Sequence, residues 1–208
     1  GFQRIHDLAW AAGDSQARGF LIGATSGRTT LNGEGLQHQD GHSHILSSTI
    51  PNCKSYDPAY SFELAIIVKN GIEEMFCNLK NVFYYLTVTN ENYLQPSMPN
   101  NCEEGIINGI YCLESINDPD ILLFGSGAIL NESIDAKSKL NKLGIKAEVY
   151  SVTSFNLLRK DGMENDRQKQ HDPSYSKKTF LRKTLGNRDQ PIVASTDYMR
   201  SYPEPVSY

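Results

Sequence analysis

Three of the five histidines in this 208-residue chain, His38, His42 and His44, lie within seven residues of one another. The surrounding segment 29–44 also holds three glycines and two acidic residues. Histidine titrates near neutral pH, and glycine lets the backbone approach a ligand closely, so packing explains this composition poorly. We therefore expect the functional site in this segment.

The histidine-rich segment allows several interpretations. A zinc site would draw on His38, His42 and His44 together with Glu34 or Asp40, because imidazoles and carboxylates are both zinc ligands. The four-residue spacing of the first two histidines suits one face of a helix, but the nearby glycines disfavour a helix. Alternatively, His42 and His44 only brace a surface loop. His38 is the better candidate for a general acid or base, because a glycine-flanked imidazole on a strand-borne loop suits proton transfer.

The residues on either side of this segment predict how it is held. Hydrophobic periodicity predicts four elements in the first half: a helix over 3–17, a buried strand over 19–23, a helix over 58–77 and a buried strand over 81–88. The first strand carries the histidine-rich segment at its end. In the second helix we expect Asp57 as the N-cap, Pro58 at the first helical position and a disturbance at Asn70-Gly71.

A shift to Asn, Pro, Glu and Gly over residues 90–118 predicts a domain boundary near residue 115. Beyond it the pattern restarts and predicts an alternating series: a strand over 120–125, a helix over 128–143 closed by Gly144, a strand over 146–152, a helix over 155–160 and a strand over 191–196. This series indicates a βαβ unit with a parallel sheet. Residues 161–190 are polar, and we expect them to be irregular.

The turn after the strand 120–125 invites comparison with a dinucleotide-binding loop, because Gly125-Ser126-Gly127 leads from a strand into a helix. The third glycine of that motif is missing, since position 130 is leucine. Glu148 lies inside the next strand rather than at its end, where an acid would meet a ribose. The pattern therefore favours an ordinary tight turn over a nucleotide site.

Composition excludes several classes of partner. The net charge is −4, and the late basic residues are interrupted by acids, which indicates a solvated surface rather than a nucleic-acid interface. No apolar run approaches the roughly 20 residues that a bilayer span requires. The four cysteines show no zinc-site spacing and predict reduced thiols in a cytoplasmic protein. The chain begins at Gly1 inside a helical pattern, which favours a piece cut from a longer polypeptide.

Six segments together carry a resemblance to a known family. They are 27–44 (GRTTLNGEGLQHQDGHSH), 49–60 (TIPNCKSYDPAY), 90–93 (NENY), 103–106 (EEGI), 150–155 (YSVTSF) and 194–199 (ASTDYM). In order and spacing they resemble the homodimeric bacterial pyruvate dehydrogenase, the thiamine diphosphate-dependent first component of the pyruvate dehydrogenase complex. The resemblance runs through essentially the whole chain.

This resemblance implies an α/β fold within the transketolase superfamily. Residues 1–114 correspond to the second half of the thiamine-diphosphate pyrimidine-binding domain. Residues 115–208 correspond to an incomplete transketolase-like C-terminal α/β domain. The implied reaction is the oxidative decarboxylation of pyruvate, with acetyl transfer to a lipoyl group on the dihydrolipoamide acetyltransferase component. The cofactor then carries the organic chemistry, and the protein supplies positioning and proton transfer.

The resemblance also implies specific site residues. His38 matches the active-site histidine on the substrate side of the cofactor, and Glu34, Gln37 and Asp40 are candidates for lining the substrate pocket. The magnesium and diphosphate motif of the family is absent from this sequence and is expected in an N-terminal domain. The glutamate that activates the aminopyrimidine is expected upstream of Gly1, so Glu34 does not take that role. No cofactor-binding residue is assigned within the chain.

Two alternatives come from other classes of protein. A transketolase or another 2-oxo acid dehydrogenase would keep the superfamily and change the reaction. However, the sequence of residues 36–44 favours pyruvate dehydrogenase, since a transketolase carries a Thr-His-Gln-Pro motif near this point. A non-catalytic structural or dimerising module is the second alternative, because residues 115–208 offer no catalytic constellation of their own.

We predict that the isolated 208-residue chain aggregates or partly unfolds and is catalytically silent, because severing a domain exposes an apolar sheet edge. Light scattering and a thermal melt of the purified chain measure this outcome. A sharp, cooperative melt of a monodisperse monomer would contradict it.

Overall fold

The computed structural model describes residues 2–24, 27–31, 33, 35 and 38–206. Within these residues the chain forms two β-sheets flanked by helices. The strands are β1 (Phe20–Gly23), β2 (Cys53–Tyr56), β3 (Phe83–Thr87), β4 (Tyr111–Cys112), β5 (Ile121–Gly125), β6 (Ala147–Ser151) and β7 (Ile192–Ser195). The α-helices are α1 (Phe2–Asp14), α2 (Ser43–Ser47), α3 (Ser61–Ile72), α4 (Glu103–Asn108), α5 (Ile129–Lys142), α6 (Phe155–His171) and α7 (Phe180–Leu185). A π-helical turn, Glu73–Cys77, follows α3, and a 3-10 turn spans Glu204–Val206.

The first sheet is parallel, with the strand order β1-β3-β2. Its central strand β3 is buried along its whole length and reads Phe-Tyr-Tyr-Leu-Thr. A continuous apolar and aromatic run of this kind is what a parallel strand covered on both faces requires. Phe2 and Ala9 of α1 pack with Phe83 and Tyr85 of β3, while Ile67 of α3 belongs to a separate cluster with Tyr84 and Leu86.

The second sheet has the order β4-β6-β5-β7. β5 pairs in parallel with both β6 and β7, whereas the short strand β4 pairs antiparallel with β6. The helix α5 connects β5 to β6, and Phe155 and Leu158 of α6 enter the core beside Phe124 and Tyr150. The carboxyl ends of β5, β6 and β7 therefore meet at one edge, which faces the edge formed by the first sheet.

The predicted α/β class is confirmed, and the strongly patterned elements form within a few residues of their expected bounds. α5 ends next to Gly144, whose φ of +80° is the left-handed conformation that glycine adopts readily. The expected disturbance of the second helix occurs as the π-helical turn, which begins at Glu73 rather than at Asn70-Gly71. All four cysteines lie in the described range and are free thiols, as predicted.

Two predictions about helices are wrong. Asp57 is not the N-cap of α3, which begins at Ser61 after Tyr60; its carboxyl instead accepts hydrogen bonds from Thr87 and Ser126. Residues 161–190 are not irregular, because α6 continues to His171 and α7 follows it. In the outer turns of α6 Met163 is the only large apolar side chain, so no hydrophobic period marks them. Side-chain pairs such as the Arg167–Glu164 ion pair at 2.8 Å support those turns.

A buried carboxylate holds the π-helical turn onto the first sheet. Glu74 accepts hydrogen bonds from Lys54 at 2.5 Å, Lys80 at 2.7 Å and the Tyr84 hydroxyl at 2.5 Å. Burial opposes ionisation of this carboxyl, but the two lysines and the tyrosine outweigh burial and lower the pKa of Glu74 to about 2. The partners of Glu74 therefore favour its ionised form.

Among the described residues, no helix is both long enough and apolar enough to cross a membrane.

We predict that Glu74→Gln lowers the melting temperature of the intact protein at pH 7 and that this difference shrinks as the pH falls. The folded-state pKa lies below the ordinary value of 4.5, so the stability contributed by the carboxylate is complete above about pH 4.5 and disappears towards pH 2. Thermal melts of both proteins at pH 7 and pH 3.5 measure the change. The exposed neighbour Glu73→Gln is the matched control, and equal losses for the two variants would contradict the assignment.

Candidate functional site

The candidate site lies where the carboxyl ends of the two sheets face each other. Four polar residues mark this junction: Asp57 follows β2, Thr87 ends β3, Ser126 follows β5 and Thr153 lies two residues beyond β6. All four are buried. Carboxyl ends of parallel strands are the usual place for a site in α/β folds, because the connecting loops there supply side chains from several elements.

Asp57 joins the two sheets through both its main chain and its side chain. Its N–H donates to the Thr153 carbonyl at 2.8 Å, and its own carbonyl accepts from Gly127 N–H at 3.1 Å. Its carboxylate oxygens accept separately from Thr87 Oγ1 at 2.6 Å and from Ser126 Oγ at 3.1 Å. Each buried polar atom thus has a partner on the opposite sheet or on the neighbouring strand, which burial demands.

The close approach of Asp57 also explains the Gly125-Ser126-Gly127 turn. Gly127 has a φ of +52°, and a Cβ at that position would lie 2.6 Å from Asp57 Oδ2. The glycine is needed because a buried carboxyl occupies the space beside it. A carboxylate there would repel a phosphate, so the structure supports an ordinary tight turn rather than a nucleotide site.

His44 extends this network towards the histidine-rich segment. It lies in the first turn of α2, is fully buried, and its Nε2 is 3.0 Å from Thr87 Oγ1. Because the Thr87 hydroxyl donates its hydrogen bond to Asp57, the Thr87 oxygen accepts a hydrogen bond from the N–H at Nε2 of His44. Desolvation lowers the pKa of His44 to about 3, against the opposing charge of Asp40. The imidazole is therefore neutral at physiological pH.

Three tyrosine rings surround the His44 imidazole. Tyr202 stacks on it with a centroid distance of 4.9 Å and an interplanar angle of 15°, and Tyr198 meets it edge-on at 4.7 Å. Tyr85 of β3 lies 5.4 Å away. Two of these rings follow β7, so the packing around His44 also joins the two sheets. This environment suits a bracing residue and not an exchanging proton carrier.

His38 is placed differently from the other two histidines. It lies in an exposed turn, and its N–H donates to the Gly35 carbonyl at 2.9 Å. Two residues later, Asp40 Oδ1 accepts from the N–H groups of His42 and Ser43 at 3.1 and 3.0 Å. Asp40 therefore fixes the start of α2, and His38 stands on the solvent side of that anchor. Glu34 and Gln37, predicted to line the pocket, lie outside the described residues.

The three histidines do not converge on a metal. His42 Nε2 lies 3.0 Å from Gln3 Oε1 of α1, and His44 faces Thr87. Across the described ranges, no three His, Cys, Asp or Glu side chains are grouped so that they could hold a metal ion. These placements agree with the interpretation that His42 and His44 brace the loop. Sequence reasoning named Asp57 only as a helix N-cap and Ser126 only as part of a tight turn; it missed Thr87 and the bridging role of Asp57.

A cavity of about 530 Å³ lies apart from this junction, between β7, α7 and the 3-10 turn. Three arginines line it, and each contacts an acidic residue: Arg182 with Asp189 at 3.8 Å, Arg188 with Glu148 at 2.7 Å and Arg200 with Glu204 at 3.3 Å. Because these cations are already paired, the cavity does not form a ready anion site. It plays no part in the candidate site.

Burial raises the pKa of Asp57 to about 7 despite hydrogen bonds from Thr87 and Ser126; the charges of Asp197 and Glu63 act in the same direction as burial. The ordinary value is 3.8. As the pH rises from about 4 to 7, the unfolded chain releases this proton while the folded chain keeps it. Stability is therefore lost across that window.

We predict that Asp57→Asn, which cannot ionise and can still bond Thr87 and Ser126, gains stability relative to the parent protein between pH 5 and pH 8. Melting temperatures of the intact protein at the two pH values measure this difference. Asp135→Asn, an exposed carboxyl on α5, is the matched control and should show no such trend. A constant difference between Asp57→Asn and its parent at both pH values would contradict the raised pKa.

Comparison with known proteins identifies what this arrangement is similar to. Residues 1–96 match the family model described as the pyruvate dehydrogenase E1 component middle domain, and residues 109–207 match the transketolase-like C-terminal domain. The pyruvate dehydrogenase E1 component of Pseudomonas aeruginosa is 54% identical in an alignment of 211 positions that covers 99% of this chain and 24% of that protein. The Escherichia coli protein of the same name is 54% identical in an alignment of 210 positions, with the same coverage.

Solved structures show the same fold at much lower identity. A transketolase from Campylobacter jejuni superposes with a TM-score of 0.73 over 99% of this chain and 28% of its own, at 16% sequence identity. That likeness concerns the fold alone. The chain spans about a quarter of the length of the curated relatives that it matches.

Proposed function

The chain belongs to the pyruvate dehydrogenase E1 family, and from this membership we propose that it is part of an enzyme that oxidatively decarboxylates pyruvate. The observation that carries the proposal is the 54% identity, over 99% of the chain, to proteins named pyruvate dehydrogenase E1 component. In the proposed reaction pyruvate loses carbon dioxide and its carbonyl carbon is oxidised to the acyl level. A lipoyl disulfide is reduced in exchange: one sulfur forms the acetyl thioester and the other takes a proton.

Within this reaction we assign His38 to proton transfer or substrate orientation. The support for this assignment is the exposed turn that carries His38 and the family resemblance from which its role was predicted. Asp40 holds the chain two residues away through His42 and Ser43 and thus shapes the pocket through the backbone. Glu34 and Gln37 remain candidates for contacts with the substrate.

Thiamine diphosphate and magnesium are the proposed cofactors. When bound, thiamine diphosphate supplies the nucleophilic carbon and the electron sink that decarboxylation of a 2-oxo acid requires. Among the described residues, no three His, Cys, Asp or Glu side chains are grouped so that they could hold a metal ion. Following the family resemblance, we assign the metal and diphosphate sites to the N-terminal part of the full-length enzyme. This chain would contribute the imidazole and the loop beside the reacting carbon.

The proposed partners follow from the same membership. The acetyl acceptor is the lipoyl group of a dihydrolipoamide acetyltransferase component, and the proposed compartment is the cytoplasm. A homodimer is supported by an apolar stripe along α3 and the π-helical turn. The stripe follows helical spacing and consists of Leu64, Val68, Ile72 and Phe76. Ile72 and Phe76 are about half exposed. We also keep the division near residue 115 as the proposed boundary between the two domains.

A transketolase remains the weaker proposal. The Campylobacter jejuni transketolase shares 16% identity with this chain, a level at which the fold is common and the substrate is not indicated. A purely structural role for the second half is compatible with the proposed enzyme, since β7 and the residues after it pack around the His44 network rather than forming a separate site.

We predict that His38→Ala, in a full-length E1 protein that carries this segment, lowers pyruvate-dependent acetyl transfer to lipoyl groups by about 100-fold or more. General acid–base groups contribute about 100-fold to 10,000-fold to a rate. Affinity for thiamine diphosphate should change by less than about threefold, because the assigned role is on the substrate side. Steady-state assays with a lipoyl domain and a cofactor titration measure the two quantities.

The matched control for this experiment is His171→Ala, at the exposed end of α6, which should leave both quantities unchanged. Unaltered acetyl transfer by His38→Ala would remove the assignment of His38. Failure of the parent protein itself to decarboxylate pyruvate would instead remove the proposed reaction.

A further inference from the structure

The loop that carries His38 is held at both ends by one short segment of the second half of the chain. That segment, residues 197–199, directly follows β7 and contacts residues 27–29 and residue 41. About 170 residues separate the partners, since Asp197 lies 169 residues from Arg28. Within the loop itself, the Arg28 side chain also lies against Gly41, where it occupies the space that a Cβ would fill.

At the first end, the Asp197 carboxylate binds the backbone of residues 28 and 29. Its Oδ2 accepts from Arg28 N–H at 2.7 Å and from Thr29 N–H at 2.8 Å, while its Oδ1 accepts from the Thr29 hydroxyl. Hydrogen bonds from backbone N–H groups to an ionised carboxylate are roughly twice as strong as neutral ones. Gly27 has a φ of +85° and lies against Asp197 Oδ2 in a space that a side chain would fill. The backbone is thus shaped to receive this carboxylate.

At the second end, the next residues of the same segment hold Gly41. Met199 N–H donates to the Gly41 carbonyl at 2.8 Å. Between the two contacts, the Tyr198 ring meets the His44 imidazole. His38 lies in the part of the chain that these two contacts close off, ten residues after Arg28 and three before Gly41. A loop fixed at both ends explores fewer conformations, so its catalytic side chain is held nearer the productive geometry.

We propose that Asp197 is a positioning residue for the His38 loop, through which the second half of the chain orders the active site. This inference rests on the proposed function for its catalytic readout, and on hydrogen bonding alone for its structural readout. The hydrogen bonds of Asp197 go to residues 28 and 29, so it acts on His38 at a distance. Its effect is carried by the backbone of residues 27–29.

The proposal predicts a distinct pattern for three variants of a full-length E1 protein that carries this segment. Asp197→Ala removes all three acceptor contacts and should lower kcat for pyruvate by about tenfold or more, because small displacements of a catalytic group cost large factors in rate. Asp197→Asn keeps an oxygen that can accept from both N–H groups and should retain at least about a third of the parent kcat. Glu204→Ala, an exposed carboxyl of the 3-10 turn that pairs with Arg200, is the matched control and should behave like the parent.

Hydrogen–deuterium exchange supplies a readout that does not depend on activity. In Asp197→Ala the amides of Arg28 and Thr29 should exchange about tenfold faster, and the rest of the loop up to Gly41 should also gain exchange. The amides of β3 should stay protected, and the affinity for thiamine diphosphate should stay within about threefold. These two controls separate loss of loop order from general unfolding.

Either of two results would overturn the proposal: Asp197→Ala keeping more than half of the parent kcat, or its loop exchanging at the parent rate. If Asp197→Ala does not fold, the variant Thr29→Val replaces it, because that change removes only the hydroxyl contact with Asp197. Thr29→Val should speed amide exchange of residues 27–31 and lower kcat by about threefold, and no change in either quantity would overturn the proposal. If the parent does not act on pyruvate, the exchange experiment still tests whether Asp197 orders residues 27–29. Failure of the proposed function is thereby distinguished from failure of this inference.

Discussion

The buried carboxyl of Asp57 is the contact on which the junction of the two sheets depends. It accepts from Thr87 on one side and Ser126 on the other, while its main chain bonds Thr153 and Gly127. A buried polar group without partners costs about 1–3 kcal/mol, so neither sheet can move away without leaving such a group behind. The junction is therefore fixed by polar satisfaction, and the apolar packing on either side of it follows.

The hydrogen bonds of this junction continue to the first turn of α2. Thr87 is hydrogen-bonded to His44, whose ring is enclosed by Tyr85, Tyr198 and Tyr202. His44 lies in the first turn of α2, and α2 follows the turn that Asp40 caps. The exposed His38 and the buried, neutral His44 thus lie on either side of Asp40 along the chain. Three histidines that are close in sequence therefore have different surroundings: one is on the surface, one contacts α1 and one is in the core.

Relatives at high and at low sequence identity share different features with this chain. The curated proteins are 54% identical to this chain, whereas a transketolase at 16% identity shares only the fold. A fold of this kind does not by itself fix a reaction, because the chemistry depends on the residues of the site that the fold carries. The scaffold decides where a loop stands, and the residues within it decide what it acts on.

The sequence by itself determined the α/β class and the buried strands over 81–88 and 120–125, because hydrophobic period and turn residues are local properties. It also identified His38 as unlike its neighbours. Only the tertiary structure decided that Asp57 bridges two sheets instead of capping α3, and that α6 extends through polar residues to His171. The partners of Asp57 and Asp197 lie between 30 and 169 residues away along the chain. No local pattern encodes such pairs, because folding alone brings them together.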